Sequence, residues 1–370
     1  MEIKIERSEL VKQLQLVQGI VERKTTMPIL ANVLFEAKQG QFWTTATDLE
    51  VGVISSCKAD VLSEGKVTIH ARSLYDIARE LPNEVIHLTT RENFWIDIRC
   101  GRSEFKIVGL SADEFPTLPQ KGQGPSAVFD NVMVEQMIEK TMFAMSNDET
   151  RYNLNGIFLE EVTENDGLLL RMVATDGHRL SIADRKLETS MKLGTGIILP
   201  RKGIMELKKL IEGNPGSFSL TVDGKHAIVT HEQVTLVIRI IDGQFPPYRQ
   251  VLPKEGKRQI SVSRDEIYRA LKRVSAMAND RTRGVRFALS PKNLEISSNT
   301  PEVGEAREEL SATYHGDAFE IGFNARYFLD ALAVLEDNDA IFQLGDDTSP
   351  CLLKSQKDLG FLHVIMPMRL

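Results

Sequence analysis

What this sequence has little of narrows its function before any motif is read. Its 370 residues include only 3 cysteines, Cys57, Cys100 and Cys351, odd in number and far apart. Such spacing supplies neither a disulfide framework nor a zinc site, and it points to a reducing, cytoplasmic compartment. No apolar run approaches the ~20 residues of a membrane span, and the N-terminal Met1-Glu-Ile-Lys-Ile-Glu6 has no signal-peptide core. No membrane partner is therefore expected. The chain also lacks a Walker-type glycine loop, a GxSxG elbow, an HExxH helix and any CxxC pair. No metal and no cofactor is expected either. Positive charge is in deficit, with 45 Lys and Arg against 52 Asp and Glu and a net charge of −7. Nucleic-acid binders are usually basic, so any cationic surface here must be confined to one face.

What is present is one pattern written three times, and a repeat must be settled before motifs are interpreted. A strand leading into an amphipathic helix starts near Ile5, near Val128 and near Ile260. Apolar periodicity predicts first helices over 8–21, 132–145 and 264–278. Their stripes are Leu10, Leu14, Val17 and Val21, then Val134, Ile138 and Met145, then Ile267, Leu271 and Val274. Second helices over 72–81, 201–211 and 325–335 follow the same rule through Leu74, Ile204 and Phe328. One apolar stripe per helix means that each lies on a surface and is not threaded through a core.

The segments between the helices favour antiparallel sheet. Runs 94–99, 103–108 and 234–240 are rich in β-branched and aromatic residues and are bounded by hairpin turns. Two repeats even close alike, Asp113-Glu-Phe115-Pro116 ending at Pro119 and Asp242-Gly-Gln-Phe245-Pro246 at Pro253. The expected fold is α+β, with three similar domains, each an antiparallel sheet with two helices on one face. Glycine, proline and charge cluster at 121–125 and 253–257, which places the domains at 1–124, 125–254 and 255–370.

Charge on the helices is not evenly spread. Arg72 and Arg79 recur at seven-residue spacing, as do Arg201 and Lys202 with Lys208 and Lys209, and Arg269, Lys272 and Arg273 line a third helix. Acidic residues gather elsewhere, at 302–309 and 336–339. Mixed charge on helices is usually a solvated face. The alternative is a basic lining inside an acidic protein, able to hold phosphates without reading sequence.

One local motif invites a catalytic reading, Val173-Ala-Thr-Asp-Gly-His-Arg-Leu180. A hydrolase would use Asp176 to orient His178 as the base for Ser181. Triad members seldom come from one short turn, because their side chains must converge from different elements. A tight turn at Asp176-Gly177 explains the residues better, and Thr45-Ala-Thr-Asp-Leu-Glu50 keeps its Thr-Asp without the histidine. The C-terminus, Val364-Ile-Met-Pro-Met-Arg-Leu370, is apolar where chain ends usually fray, and it suits a docking surface.

Six segments stand in order along the repeat: Pro28-Ile-Leu30, Arg151-Tyr-Asn-Leu-Asn-Gly156, Val173 to Leu180, Pro200-Arg-Lys-Gly203, Phe245-Pro-Pro-Tyr-Arg249 and Met366-Pro-Met-Arg-Leu370. Through them the chain resembles, over its full length, the bacterial DNA polymerase III beta subunit family of sliding clamps. The resemblance implies a homodimer, joined head to tail, whose six domains form a ring around duplex DNA regardless of sequence. It implies a non-catalytic processivity factor, cytoplasmic and nucleoid-associated, with no cofactor. Replicative polymerase, clamp loader and repair polymerases would dock through short linear motifs.

Carried over position by position, the partner-peptide groove would take Leu154, Thr175, Gly177, His178, Arg179, Leu180, Pro246, Val251, Tyr327 and Val364, with Met366, Pro367, Met368, Arg369 and Leu370. DNA contacts would come from Lys24, Arg72, Tyr152, Arg201 and Lys202. The ring interface would set Phe105 and Ile107 against Ala276 and Met277 of the neighbouring subunit, at an edge strand of each outer domain. The chain departs from the family's pattern at Lys24 and Gln250, where some members have Arg, and at Asn153, where a second Tyr can follow Tyr152. Glu104 reverses a charge near the interface, and Ala276 is smaller than the residue expected there.

Overall fold

Amphipathic periodicity becomes helix in every repeat. The structure is a computed structural model that describes residues 1–22, 26–119, 124–164, 167–253, 258–279, 282–301 and 304–369. Among them the first helices are α1 (Arg7–Gln18), α3 (Asn131–Met142) and α5 (Arg264–Val274), and the second helices are α2 (Ala71–Glu80), α4 (Arg201–Ile211) and α6 (Ala325–Ala333). The predicted stripes are the buried ones: Leu10, Leu14, Ile267, Leu271, Phe328 and Leu332 have no exposed surface. Starts are fixed by caps. Ser263 Oγ accepts the Glu266 amide at α5, and Asn324 Oδ1 accepts the Arg326 amide at α6. α4 ends at Ile211 as expected, while the C-terminal ends of the other five helices fall short of the expected spans, α5 giving way to a 3₁₀ turn at Ser275–Met277.

Tertiary contacts gather the chain into two compact units, and the division runs through the second repeat. The first comprises residues 1–132 and 202–240. Its five-stranded antiparallel sheet ends on strand Ser103–Val108, which pairs with Trp95–Cys100 on one side only. Its eight-stranded sheet joins strands of the first repeat to strands of the second where Val234–Arg239 pairs with Val51–Lys58. Helices α1 and α2 pack on each other in this unit.

The second unit comprises residues 133–201 and 241–370 and holds one twelve-stranded antiparallel sheet. Strands of the second and third repeats meet where Arg179–Lys186 pairs with Phe361–Ile365, setting Leu180 opposite Val364. Helices α5 and α6 pack together here over a core that includes Phe287, Phe323, Phe328 and Phe342. The ring centroids of Phe287 and Phe328 lie 4.9 Å apart.

Every named pairing is antiparallel, as the sequence pattern requires. Sharing of sheets between repeats is the feature that periodicity does not disclose. It has a physical cause, since pairing the edge strands of adjacent repeats removes unsatisfied backbone edges from both. One motif residue is also explained by backbone proximity. Gly156 pairs with Pro200, and a Cβ there would stand 2.3 Å from the Leu199 carbonyl oxygen.

Candidate functional site

The Thr-Asp turn is built from its own side chains. Thr175 Oγ1 donates to the Arg179 carbonyl at 2.6 Å and accepts the Gly177 amide at 3.1 Å. Asp176 Oδ1 accepts the amides of His178 and Arg179 at 2.9 and 3.1 Å. Gly177 sits at φ +91°, a conformation that costs glycine nothing. The first repeat makes the same four bonds: Thr47 Oγ1 to the Val51 carbonyl, the Leu49 amide to Thr47, and the Glu50 and Val51 amides to Asp48. The turn is therefore a property of the repeat. No triad assembles on it. Ser181 is fully buried and donates to the Lys140 carbonyl, while Asp176 Oδ2 accepts from Arg179 Nε at 3.0 Å. The hydrolase reading fails on this geometry.

The second repeat adds His178 and Arg179 to the turn, and both reach the third repeat. Arg179 is 7% exposed. Its Nη1 donates to Asp330 at 2.6 Å, its Nη2 to the Phe143 carbonyl at 2.5 Å, and its guanidinium lies 4.7 Å from the Tyr327 ring centre. His178 is exposed, and its ring stacks near-parallel to Tyr327 at 6.5 Å. Burial, with the Asp176 charge, pushes the Tyr327 phenol above its ordinary range. Arg179 is thus a joint between a hairpin and a helix, with its polar atoms already satisfied. Beneath the joint lies His363, fully buried and 5.3 Å ring to ring from Phe143. Burial first, and the charge of Arg179 second, push its pKa down to about 3.

The tail completes this wall. The Met366 amide donates to the His178 carbonyl at 2.9 Å, and the Met368 amide to the Gly322 carbonyl at 2.8 Å. Met366, Pro367 and Met368 are half-buried and Arg369 is exposed. Leu180 and Val364, buried and opposite each other, share an apolar cluster with Phe158, Ile182 and Ile198. Thr175 and Leu154 are buried beside the turn and at the 3₁₀ segment Tyr152–Leu154. Arg151, which reading the sequence left out of the site, stands against Gly177.

The segment carrying Pro246 and Val251 packs on the same apolar cluster through Phe245, Tyr248 and Leu252. Phe245 stacks on Phe158 at 4.8 Å, and Val251 is 43% exposed. A buried polar anchor holds this segment. The Tyr248 hydroxyl donates to Glu160, Arg249 reaches the same carboxylate at 2.8 Å, and Arg171 links Tyr248 to Asp184. Burial, reinforced by Glu160, pushes Tyr248 up to about 12, so it stays a hydrogen-bond donor. Tyr248, Phe143 and Asp330 support the groove without having been predicted. The Phe-Pro-Pro-Tyr-Arg motif signalled the first, and nothing in the sequence signalled the others.

The DNA-contact candidates divide into engaged and open groups. Lys24 lies outside the described residues, as does Leu370 of the groove. Arg201 is held by Asn155 Oδ1 and the carbonyls of Met145 and Ser146, and burial pulls its pKa below the usual value. Lys202 donates to Asp48 and to the Ile20 carbonyl. Arg72 is open but shares Asp76 with Arg79, and Tyr152 is 57% exposed. Among the described residues there is no His, Cys, Asp and Glu group fit for a metal, and no helix is long and apolar enough to cross a membrane.

Phe105 and Ile107 lie on the edge strand Ser103–Val108, opposite the buried Ile98 and Ile96. They face the core side and are uncovered only because the sheet stops there. Ala276 and Met277 correct the expectation of a second edge strand. They occupy the turn Ser275–Met277, packed against strand Gly304–Thr313. That strand pairs along Gly304–Ser311 with Asn293–Thr300, and it offers only Ala312 and Thr313 to a second neighbour. The open edge thus lies beside the two residues, which turn geometry keeps off the strand itself.

Three sheet-and-helix repeats, with an apolar cluster and a paired tail where the second meets the third, define the three-domain clamp class. Family models agree along the chain: the N-terminal, central and C-terminal domains of the DNA polymerase III beta subunit match residues 1–119, 129–247 and 249–369. The beta sliding clamp of Pseudomonas putida is 37% identical over 374 residues, and that of Caulobacter vibrioides 35% over 371, each pair covered in full. A solved Bartonella birtlesii DnaN sliding clamp, bound to griselimycin, superposes with a TM-score of 0.95 at 35% identity. The sliding clamp from Pseudomonas aeruginosa superposes with a TM-score of 0.91 at 35% identity, and both structures and this chain are covered in full. The chain belongs to the DNA polymerase III beta subunit family.

Proposed function

We propose that this chain is a DNA sliding clamp, a non-catalytic processivity factor that tethers the replicative polymerase to its template in the cytoplasm, on the nucleoid. The full-length, three-domain correspondence with sliding clamps carries this reading. We place the domain boundaries at residues 124 and 254. The working form is a head-to-tail homodimer with the helices turned toward duplex DNA. Two open edges support that assembly, Ser103–Val108 with the uncovered Phe105 and Ile107, and Gly304–Thr313 beside Ala276 and Met277. Joining them covers apolar surface and removes both edges.

Partners dock in the groove between the second and third repeats. Polymerases and the clamp loader would present short motifs whose apolar side chains settle between the tail and the Pro246–Val251 segment. A tether of this kind is retained by topology and not by affinity. Loaded by its clamp loader onto nicked circular DNA, the protein should remain bound through gel filtration. It should be lost within the same interval once the circle is cut. Equal loss from circle and linear DNA would reject encirclement.

A further inference from the structure

The cations carried over as DNA contacts differ in how far their charge is engaged. Lys202 is paired with Asp48 and Arg72 shares Asp76 with Arg79, while Arg201 is fixed in place by three neutral acceptors. A phosphate contact requires a cation whose charge is not already neutralised, because the binding gain comes from counterions released by the nucleic acid. Helix α5 offers two such cations. Arg269 is exposed and has no ion pair among the described residues, and Lys272 is exposed with no partner except an aromatic face. The Lys272 ammonium lies 4.6 Å from the ring centre of Tyr268, one helical turn earlier. That contact leaves the ammonium charge intact while restricting a flexible side chain.

The surrounding charges favour an anion. Asp265 is the one carboxylate among the residues lining this recess, and Arg264 Nη2 engages it at 2.6 Å. Arg264 is itself fastened to the Leu335 carbonyl at 3.1 Å. Arg273, the next cation along, is occupied by Glu308 through two 2.6 Å bonds. What remains is an open recess of about 430 Å³ floored by Leu332 and Ala333, with two unneutralised cations at its rim.

We propose that Arg269 and Lys272, with Tyr268 positioning the lysine, form a phosphodiester-binding cradle for duplex DNA in this chain. The proposal rests on the clamp reading and adds backbone contact from the third repeat, where no carboxylate among the described residues claims either cation as Asp48 claims Lys202.

The test is the salt dependence of binding to a short blunt fluorescent duplex, followed by anisotropy on the full-length protein. Each of Arg269→Gln and Lys272→Gln should flatten the slope of log affinity against log salt by about 0.9, and the double variant by about 1.8. Arg269→Lys should restore the wild-type slope. Melting temperatures should stay unchanged, because both charged groups are exposed and unpaired within the protein. A double variant with wild-type affinity and slope overturns the cradle and leaves the clamp reading standing. Absence of salt-dependent binding by the wild type would overturn the cradle and leave the clamp reading, which rests on topology, to the circular-DNA test. A loss of affinity with the slope unchanged would also overturn the cradle, since it would mean that no phosphate contact was removed.

Discussion

A single buried imidazole shows how the groove's architecture sets a condition on stability. His363 lies on the strand Phe361–Ile365, next to the buried guanidinium of Arg179, and its pKa is pushed down to about 3. In the unfolded chain the same imidazole titrates near 6.5. Between those values the unfolded state binds more protons than the folded one, so stability falls as pH drops. The contribution is fully present above about pH 6.5 and is lost progressively toward pH 3, at up to about 1.4 kcal/mol per pH unit. Asp358 acts in the same direction at lower pH. Burial alone would raise its pKa, but hydrogen bonds from Lys140 and Arg185 hold it below the ordinary value. Replacing His363 by Phe should flatten the stability profile between pH 6.5 and 4 while leaving the Asp358 loss below it. Urea midpoints taken across that range would check this, and a parallel downward shift at every pH would rule out the histidine as the source.

At the scale of elements, the repeat was legible because helices with one apolar stripe must lie on a sheet, and α1, α5 and α6 do so at Leu10, Leu271 and Leu332. The turn was legible too, because Thr-Asp recurs at 47–48 and 175–176 and makes the same bonds in both places. The candidate groove residues come from resemblance and not from periodicity. Asp330 and Phe143 hold Arg179 from distant positions, and no local pattern encodes such a contact. The tail is the element on which these threads converge. Its amides bridge His178 of the second repeat and Gly322 of the third, while strand Phe361–Ile365 stays paired on both sides without it. Removing residues 366–370 should therefore leave folding and self-association unchanged and weaken partner-peptide binding by roughly 30-fold or more, the cost of losing one anchoring hot spot. Calorimetric titration with a polymerase-derived peptide would measure it. Unchanged affinity would mean that the groove lies elsewhere.

For the whole molecule, the decisive question is what an edge strand is doing with core residues on it. A strand that ends a sheet in a monomer is usually short, charged or covered. Ser103–Val108 is none of these on its inner face. Phe105 is 40% exposed although its cross-strand neighbour Ile98 is wholly buried, so the hydrophobic core is cut open at the sheet's margin. The outer face of the same strand carries Glu104 and Lys106, opposite Arg99 and Asp97, before ending on the exposed pair Val108 and Trp95. A second copy laid along this edge would close both the sheet and the core. Paired aspartates at Phe105 and Ile107 would place two carboxylates where a partner must remove water, at a desolvation cost to assembly. If the wild type is the proposed dimer, the Phe105→Asp, Ile107→Asp variant should sediment as a single chain at concentrations where the wild type sediments as two. It should keep its peptide affinity, because the proposed groove residues all lie within 133–201 and 241–370, and it should fail to persist on circular DNA. A variant that stayed dimeric would show that the open edge is not the ring's seam, whatever else covers it.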